Sequence, residues 1–497
     1  MPEAAPILPS EELDDLPPRQ AWEEPPAAGW GSHLGEVLLE LLWMAAIVGV
    51  ACAAERLVTM AVKLGTHTRG PLVIGLWASA CVLAAGVAVY IWRRLGGIAL
   101  VAAMLTDYGR VARLGGRPPV WLDLPPDGEG ALKLAHLSDL HIAEGPTVRM
   151  VERAQPGGNR ALAALLATPQ LAEAELLLIT GDLTDRGTAI SWRCFLDALE
   201  ERGLADRAIL VPGNHDLALV DALDGKRRRK HVLRSDRFAI VQLANLLKFA
   251  EAFAQTGGGR RGFVLDGKEM ISFQDAWLSA ERTVRPLIAQ LPSEPVPQIR
   301  LRGLSLEGRA ARAAYVARIE EAREKLLALF PVAVPIPDRD AVVFVLNSCA
   351  AISRHPATNA LGHVGRAQYR RLEKLAKFWA QNIRLVALHH HVVRRAEERG
   401  RAFLTRLLAK FTVLGDARPL VRFCKKQGVR AVLNGHRHLS YQLRLPNGTV
   451  LLAAPSSTLG DELADDPRPQ FERYDVAPTV SGRSVGIYRK VIRLSRE

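Results

Sequence analysis

Five short polar clusters, each closing a run of leucine and β-branched residues, constrain the fold of this chain more than any other feature. They are Asp139-Leu140-His141, Gly181-Asp182, Gly213-Asn214-His215-Asp216, His389-His390-His391 and Gly435-His436-Arg437-His438. The runs that lead into them, LKLAHLS, ELLLIT, AILVP, RLVALH and VRAVLN, read as buried strands. Parallel strands of an open α/β sheet present their carboxyl ends along one edge, where ligands bind. Clusters far apart in sequence can therefore meet in one site, and these carry enough oxygen and nitrogen donors for two metal ions.

Taken singly, each cluster has an ordinary explanation. Asp-x-His makes turns, a histidine on an apolar strand is commonly a hydrogen-bonded core residue, and Asn and Gly also favour turns. Gly-His-x-His after a strand is more specific, because alternation points both histidines the same way. What turns alone do not explain is the recurrence of such clusters at five strand ends. Carboxylate, amide and imidazole donors without thiolate suit manganese, iron or zinc rather than calcium or a structural zinc.

In their order the clusters resemble the calcineurin-like metallophosphoesterases, whose pattern is D-x-H, G-D, G-N-H-[DE], H and G-H-x-H. The resemblance runs from about Leu132 to Leu494. It implies an αββα sandwich and a dinuclear centre in which Asp139, His141, Asp182 and His438 hold one metal. Asp182, Asn214, His389 and His436 would hold the other, with Asp182 as the bridge. His215 is implied as the catalytic residue that stabilises or protonates the leaving oxygen, and a metal-bridging hydroxide as the in-line nucleophile. The fourth block departs from the family in carrying three histidines before Val392-Val393; His389, nearest the strand end, is the expected ligand, with His390 as the alternative.

Of 497 residues, the opening thirty hold seven acidic residues against Arg19 alone, with many prolines, the composition of a solvated tail. Pro71 to Trp92 carries no charge and is long enough to cross a hydrocarbon core about 30 Å thick. Val37 to Ala54 is a second candidate span, interrupted by Glu40. Arg93, Arg94, Arg110, Arg113 and Arg117 follow the second span, against chiefly Lys63 and Arg69 between the two, so the charge bias places the catalytic domain in the cytoplasm. The five cysteines form no C-x-x-C pair and are odd in number, which argues against a disulfide framework and agrees with a reducing compartment.

The expected organisation is a tail over 1–35, a membrane region with one or two transmembrane helices over 36–105, a linker over 106–130, a phosphoesterase domain over 131–220 and 341–497, and a helical basic insertion or cap over 221–340. That insertion exceeds an ordinary connection. It opens on Lys226-Arg227-Arg228-Arg229-Lys230 and shows helical periodicity in FAIVQLANLLKFAEAF and AARAAYVARIEEAREKLLALF. The basic run could meet anionic headgroups or a polyanionic substrate, or lie on a solvated face.

After the insertion, Leu346-Asn347-Ser348 followed by Gly362, Gly365 and Gln368 looks like the corresponding part of cyclic-nucleotide phosphodiesterase-like members of the family. Thr184-Asp185-Arg186-Gly187 is similar to a block of the protein Ser/Thr phosphatases, but their later H-G-G block is replaced here by three histidines. The expectation is a membrane-bound, dinuclear phosphohydrolase, a phosphodiesterase in preference to a monoesterase, with a nucleotide or lipid phosphoester as substrate. The alternatives are a nuclease, a lipid pyrophosphatase, or an interaction module on an inactive scaffold. The net charge of +13 would attract nucleic acid, but no interleaving of aromatic and basic residues favours it.

Overall fold

The computed structural model describes residues 131–143, 147–149, 154–156, 159–217, 235–289, 306–349, 361–379, 383–393, 413–461, 464, 467–478 and 485–494. By its contacts the chain divides into two units, Arg19–Thr106 and the remainder; all described residues belong to the second. The candidate spans Val37 to Ala54 and Pro71 to Trp92, the acidic tail and the Lys226 to Lys230 run lie outside the described residues. Within these, no helix is long and apolar enough to cross a membrane.

Two mixed sheets face each other. The first is built from β1 (Leu132–Leu137), β4 (Leu176–Ile179), β5 (Ala208–Leu210), β14 (Gln470–Pro478) and β15 (Val485–Arg493), in the order β15-β14-β1-β4-β5. β1, β4 and β5 are parallel, and β14 closes antiparallel against β1. A separate hairpin pairs β2 (Thr147–Arg149) with β3 (Ala154–Pro156).

The second sheet runs β12-β13-β11-β10-β9-β8-β6-β7. Its members are β6 (Phe263–Asp266), β7 (Glu269–Ser272), β8 (Val332–Pro335), β9 (Ala341–Val345), β10 (Ile383–Ala387), β11 (Ala431–Asn434), β12 (Tyr441–Arg444) and β13 (Val450–Ala453). The central four, β9, β10, β11 and β13, are parallel.

Strand alternation sorts the core into two layers. Val343, Leu385, Leu433 and Leu452 join β1, β4 and β5 in the larger cluster between the sheets. Their neighbours Phe344, Val386, Val432 and Leu451 face the other way, onto two helices. Helices α1 (Asn159–Leu166) and α2 (Ala189–Glu201) bury Leu162, Leu165, Phe195 and Leu199 in the larger cluster. The α/β/β/α sandwich that the resemblance implies is thus present.

The expectation of a helical cap over 221–340 is corrected. Its helices α3 (Ser235–Gln255), α4 (Phe273–Ala289) and α5 (Leu306–Leu327) are there, but β6, β7 and β8 complete the second sheet. Phe249, Phe253, Phe273 and Phe330 pack ring against ring inside the larger core cluster. The segment is therefore part of the sandwich rather than an appendage. Strands of four residues are too short for period-two alternation to stand out beside long helical repeats.

The outer helices of the second sheet are α6 (Arg366–Leu375) and α7 (Ala417–Gln427). Gln368 has a structural role after β9. Its amide accepts from Asn347 N at 2.8 Å and donates to Asn347 O and Val364 O at 3.0 and 3.1 Å, which ties the end of β9 to the start of α6.

Candidate metal centre

All the expected site residues stand at one edge of the sandwich, at the carboxyl ends of β1, β4, β5, β10 and β11. The backbone there is forced into an uncommon conformation. Asp139, His141, Asp182, His436 and His438 have φ between 49° and 82°, and among described non-glycine residues only Asp338 shares that region. Left-handed conformations in residues with a Cβ cost on the order of 1 kcal/mol each and cluster where function demands a given side-chain direction. Gly181, at φ 89°, has no room for a side chain, since a Cβ would overlap the His389 ring and Gly213 Cα.

One group brings together Asp139, His141 and His438, and a second Asp182, His389 and His436. In the first, His438 Nε2 lies 3.5 Å from Asp139 Oδ1 and 3.2 Å from His141 Nε2. In the second, His389 Nε2 lies 3.2 Å from Asp182 Oδ2, 3.0 Å from Asn214 Oδ1 and 3.1 Å from His436 Nδ1. The groups adjoin, because His436 N donates to both Asp139 oxygens at 2.9 and 3.1 Å. His389 therefore joins the second group, whereas His390 packs beside His436 with ring centroids 4.4 Å apart and has Nδ1 2.9 Å from Ser348 Oγ.

The electrostatics are those of a site that wants cations. Burial opposes ionisation of Asp182, but His389 and His215 beside it hold the carboxyl well below its usual range. Asp139 is lowered against the same burial by His438. Burial disfavours protonation of His389, yet Asp182 and Asp139 outweigh it and raise the imidazole to about 9. His141 is pushed down to about 3 by burial and by the neighbouring His215. Imidazole nitrogens converging at little more than 3 Å in a buried, acid-lined space are natural ligands for a divalent ion, which displaces a proton such as that of His389. The donor set fits two such ions.

Sequence reasoning named Asp216 within its cluster without a role, and it missed the hydroxyl residues that hold these donors in place. Asp216 accepts from Gly213 N, Leu183 N, Thr184 N and Thr184 Oγ1 at 2.9–3.2 Å, locking the Asp182 loop to the Asn214 loop. Ser138 Oγ donates to Asp139 Oδ2 at 2.5 Å. Ser457 Oγ accepts from Ser138 N at 3.0 Å, while the Ser456 and Thr458 hydroxyls donate to Asp139 O and Leu140 O at 2.7 and 3.0 Å. The serines after β13 formed no strand-end histidine or acid pattern and carried no signal.

Asp185 is a further addition. Its Oδ1 is 3.5 Å from His215 Nδ1, and its carbonyl oxygen is 3.1 Å from the same nitrogen. Burial works against the charge on His215, but Asp182 and Asp185 raise it to about 9. His215 also sits edge-on to His141, with ring centroids 4.7 Å apart.

Residues 132–318 match the family described as calcineurin-like phosphoesterase. This stretch is a metallophosphoesterase domain. Calcineurin-like phosphoesterases are phosphoester hydrolases that use two divalent metals, in accord with the two donor groups. The match runs through α3 and α4 and ends within α5.

No curated protein sequence matches the chain. Among solved structures, a dimetal phosphatase from Danio rerio is similar at 11% identity and TM-score 0.36, covering 73% of this chain and 99% of that one. A purple acid phosphatase from yellow lupin is similar at 12% identity and TM-score 0.35, covering 70% of this chain and 50% of its own.

Proposed function

We propose that this metallophosphoesterase is a membrane-anchored phosphodiesterase whose catalytic domain faces the cytoplasm and acts on a nucleotide or lipid phosphoester. The observation that carries the hydrolytic reading is the convergence of seven donors, Asp139, His141, Asp182, Asn214, His389, His436 and His438, in two adjoining buried groups. In this reading Asp139, His141, Asp182 and His438 hold one ion, and Asp182, Asn214, His389 and His436 the other, with manganese, iron or zinc suited to the donors. When bound, the ions neutralise charge on the phosphoryl oxygens and make water nucleophilic near neutral pH.

The chain's own residues do the rest. Asp182 Oδ1 accepts from His215 N at 2.8 Å while Oδ2 faces His389, and in this reading the same carboxylate bridges the two ions. Asn214 contributes a neutral oxygen, which limits negative charge facing an anionic substrate. In this reading His215, whose charge Asp182 and Asp185 favour, donates a proton to the departing oxygen. Preference for a diester rests on the resemblance of Leu346-Asn347-Ser348, Gly362, Gly365 and Gln368 to the phosphodiesterase-like members. The uncharged Pro71 to Trp92 run and the arginines after it support the anchor and its orientation.

The test is hydrolysis of aryl phosphodiesters and phosphomonoesters by the full chain in detergent, with manganese, zinc or chelator, beside Asp182→Ala. Metal-stimulated turnover faster on diesters and lost in the variant is expected. Full activity in Asp182→Ala would remove the shared-carboxylate role, and metal binding without turnover across a broad panel would leave an inactive scaffold.

A further inference from the structure

We infer that the outer face of α6 and α7 is a docking surface for an anionic phospholipid membrane. The inference goes beyond the catalytic reading. It draws on the proposed anchor only for the choice of partner.

The residues are sorted cleanly around each helix. α6 buries Gln368, Tyr369, Leu372 and Leu375, and α7 buries Leu420, Phe423 and Cys424, against the second sheet. The opposite side of α6 exposes Arg366, Arg370 and Lys374, followed by Lys377 just beyond its end. Their spacing of four, four and three places them on one stripe. α7 exposes Arg422, Lys425 and Lys426. Lys426 Nζ lies 3.5 Å from Glu373 Oε1, so the two exposed faces adjoin.

Glu373 is the only acidic residue within either helix. Seven exposed cations against one acid leave a surplus well beyond what the helix termini ask for, since only the last turn gains from positive charge. Phe378, four residues beyond Lys374, is 53% exposed. A basic surface carrying an exposed aromatic ring is the combination that binds at a headgroup boundary.

A phospholipid surface is favoured over nucleic acid because the same chain carries the 22-residue uncharged run Pro71 to Trp92, which would keep lipid headgroups at high local concentration. The face also begins beside the candidate metal centre. The residues just before α6 reach the strand-end edge, where His363 N donates to Ser348 O at 2.6 Å and Ser348 Oγ meets His390. Docking through α6 and α7 would therefore hold the catalytic edge next to the membrane.

The full chain in detergent is reconstituted into neutral phosphatidylcholine vesicles or vesicles with roughly a third phosphatidylserine, and lysine acetylation is followed residue by residue. Lys374, Lys377, Lys425 and Lys426 should react about tenfold more slowly in the anionic vesicles and recover at high salt. Exposed Lys268, on the turn between β6 and β7, should not change. The quadruple variant Arg370→Glu, Lys374→Glu, Arg422→Glu, Lys425→Glu should abolish the protection of Lys377 and Lys426 while keeping turnover of a soluble aryl phosphoester.

Equal reaction rates in the two vesicle types would overturn the proposal, as would protection by RNA in detergent without lipid, which would assign the face to nucleic acid. Flotation with neutral vesicles reports the anchor separately, and turnover reports the catalytic reading. Protein that fails to float is compared on the same lysines after addition to preformed vesicles, so loss of the anchor does not decide the result for this face.

Discussion

The Nε2 atoms of His141 and His438 lie 3.2 Å apart, and both rings are buried. At most one of the two can donate to the other, and Asp139 Oδ1 stands 3.5 Å from His438. A cation between them resolves the contact better than a proton does. Adding manganese to chelator-treated protein should therefore raise its unfolding temperature, with a gain of about 2.7 kcal/mol at a free-metal concentration a hundred times the Kd. Calorimetry across a metal titration checks this, with two equivalents expected at saturation; an unchanged midpoint would remove the metal centre.

His389 and His390 are neighbours in sequence with different surroundings. His389→Gln should lose one of two metal equivalents and most activity. His390→Gln should retain both equivalents and lose only about 1 kcal/mol of stability with its Ser348 contact. Elemental analysis of the purified variants decides between them, and the opposite pattern would transfer the ligand role to His390.

Asp185 lies against His215, with Oδ1 3.5 Å from its Nδ1, and in this reading acts through it. Asp185→Asn should slow turnover of substrates with poor alkoxide leaving groups by about 10²-fold, and affect a good aryl leaving group much less. The metal content should not change. Rates across a leaving-group series read this directly; an equal loss on every substrate would point to a positional effect on the whole site.

His136, buried in β1, is pushed from 6.5 to about 3 by burial, against a smaller opposing effect of Asp139. Because the folded protein resists protonating it, its contribution is intact above pH 6.5 and is lost as pH falls toward 3. The slope for one such proton is about 1.4 kcal/mol per pH unit. His136→Gln, which can keep a hydrogen bond to Thr180, should flatten the acid limb of the stability profile by about one proton. Denaturant unfolding between pH 4 and 7 at fixed metal concentration tests it, and parallel profiles for variant and wild type would count against it.

Much of the site was legible before any coordinates, for a definite reason. Each donor follows a buried strand, and strands that run parallel must release their side chains at a common edge. Asp139, Asp182, Asn214, His389 and His436 could thus be grouped from hydrophobic runs alone. Ser456, Ser457 and Thr458 could not, because hydroxyls after a strand look like any turn until they are seen to hold the Asp139 loop.

By itself the sequence determined the α/β class, the strand-end placement of the donors and the chemistry they suit, since these follow from local periodicity and side-chain type. Only the tertiary structure decided that β6, β7 and β8 belong to the second sheet, that His389 rather than His390 joins Asp182, and that Asp185 backs His215. Those outcomes depend on distances between segments tens to hundreds of residues apart, set by how two sheets pack and not by any pattern along the chain.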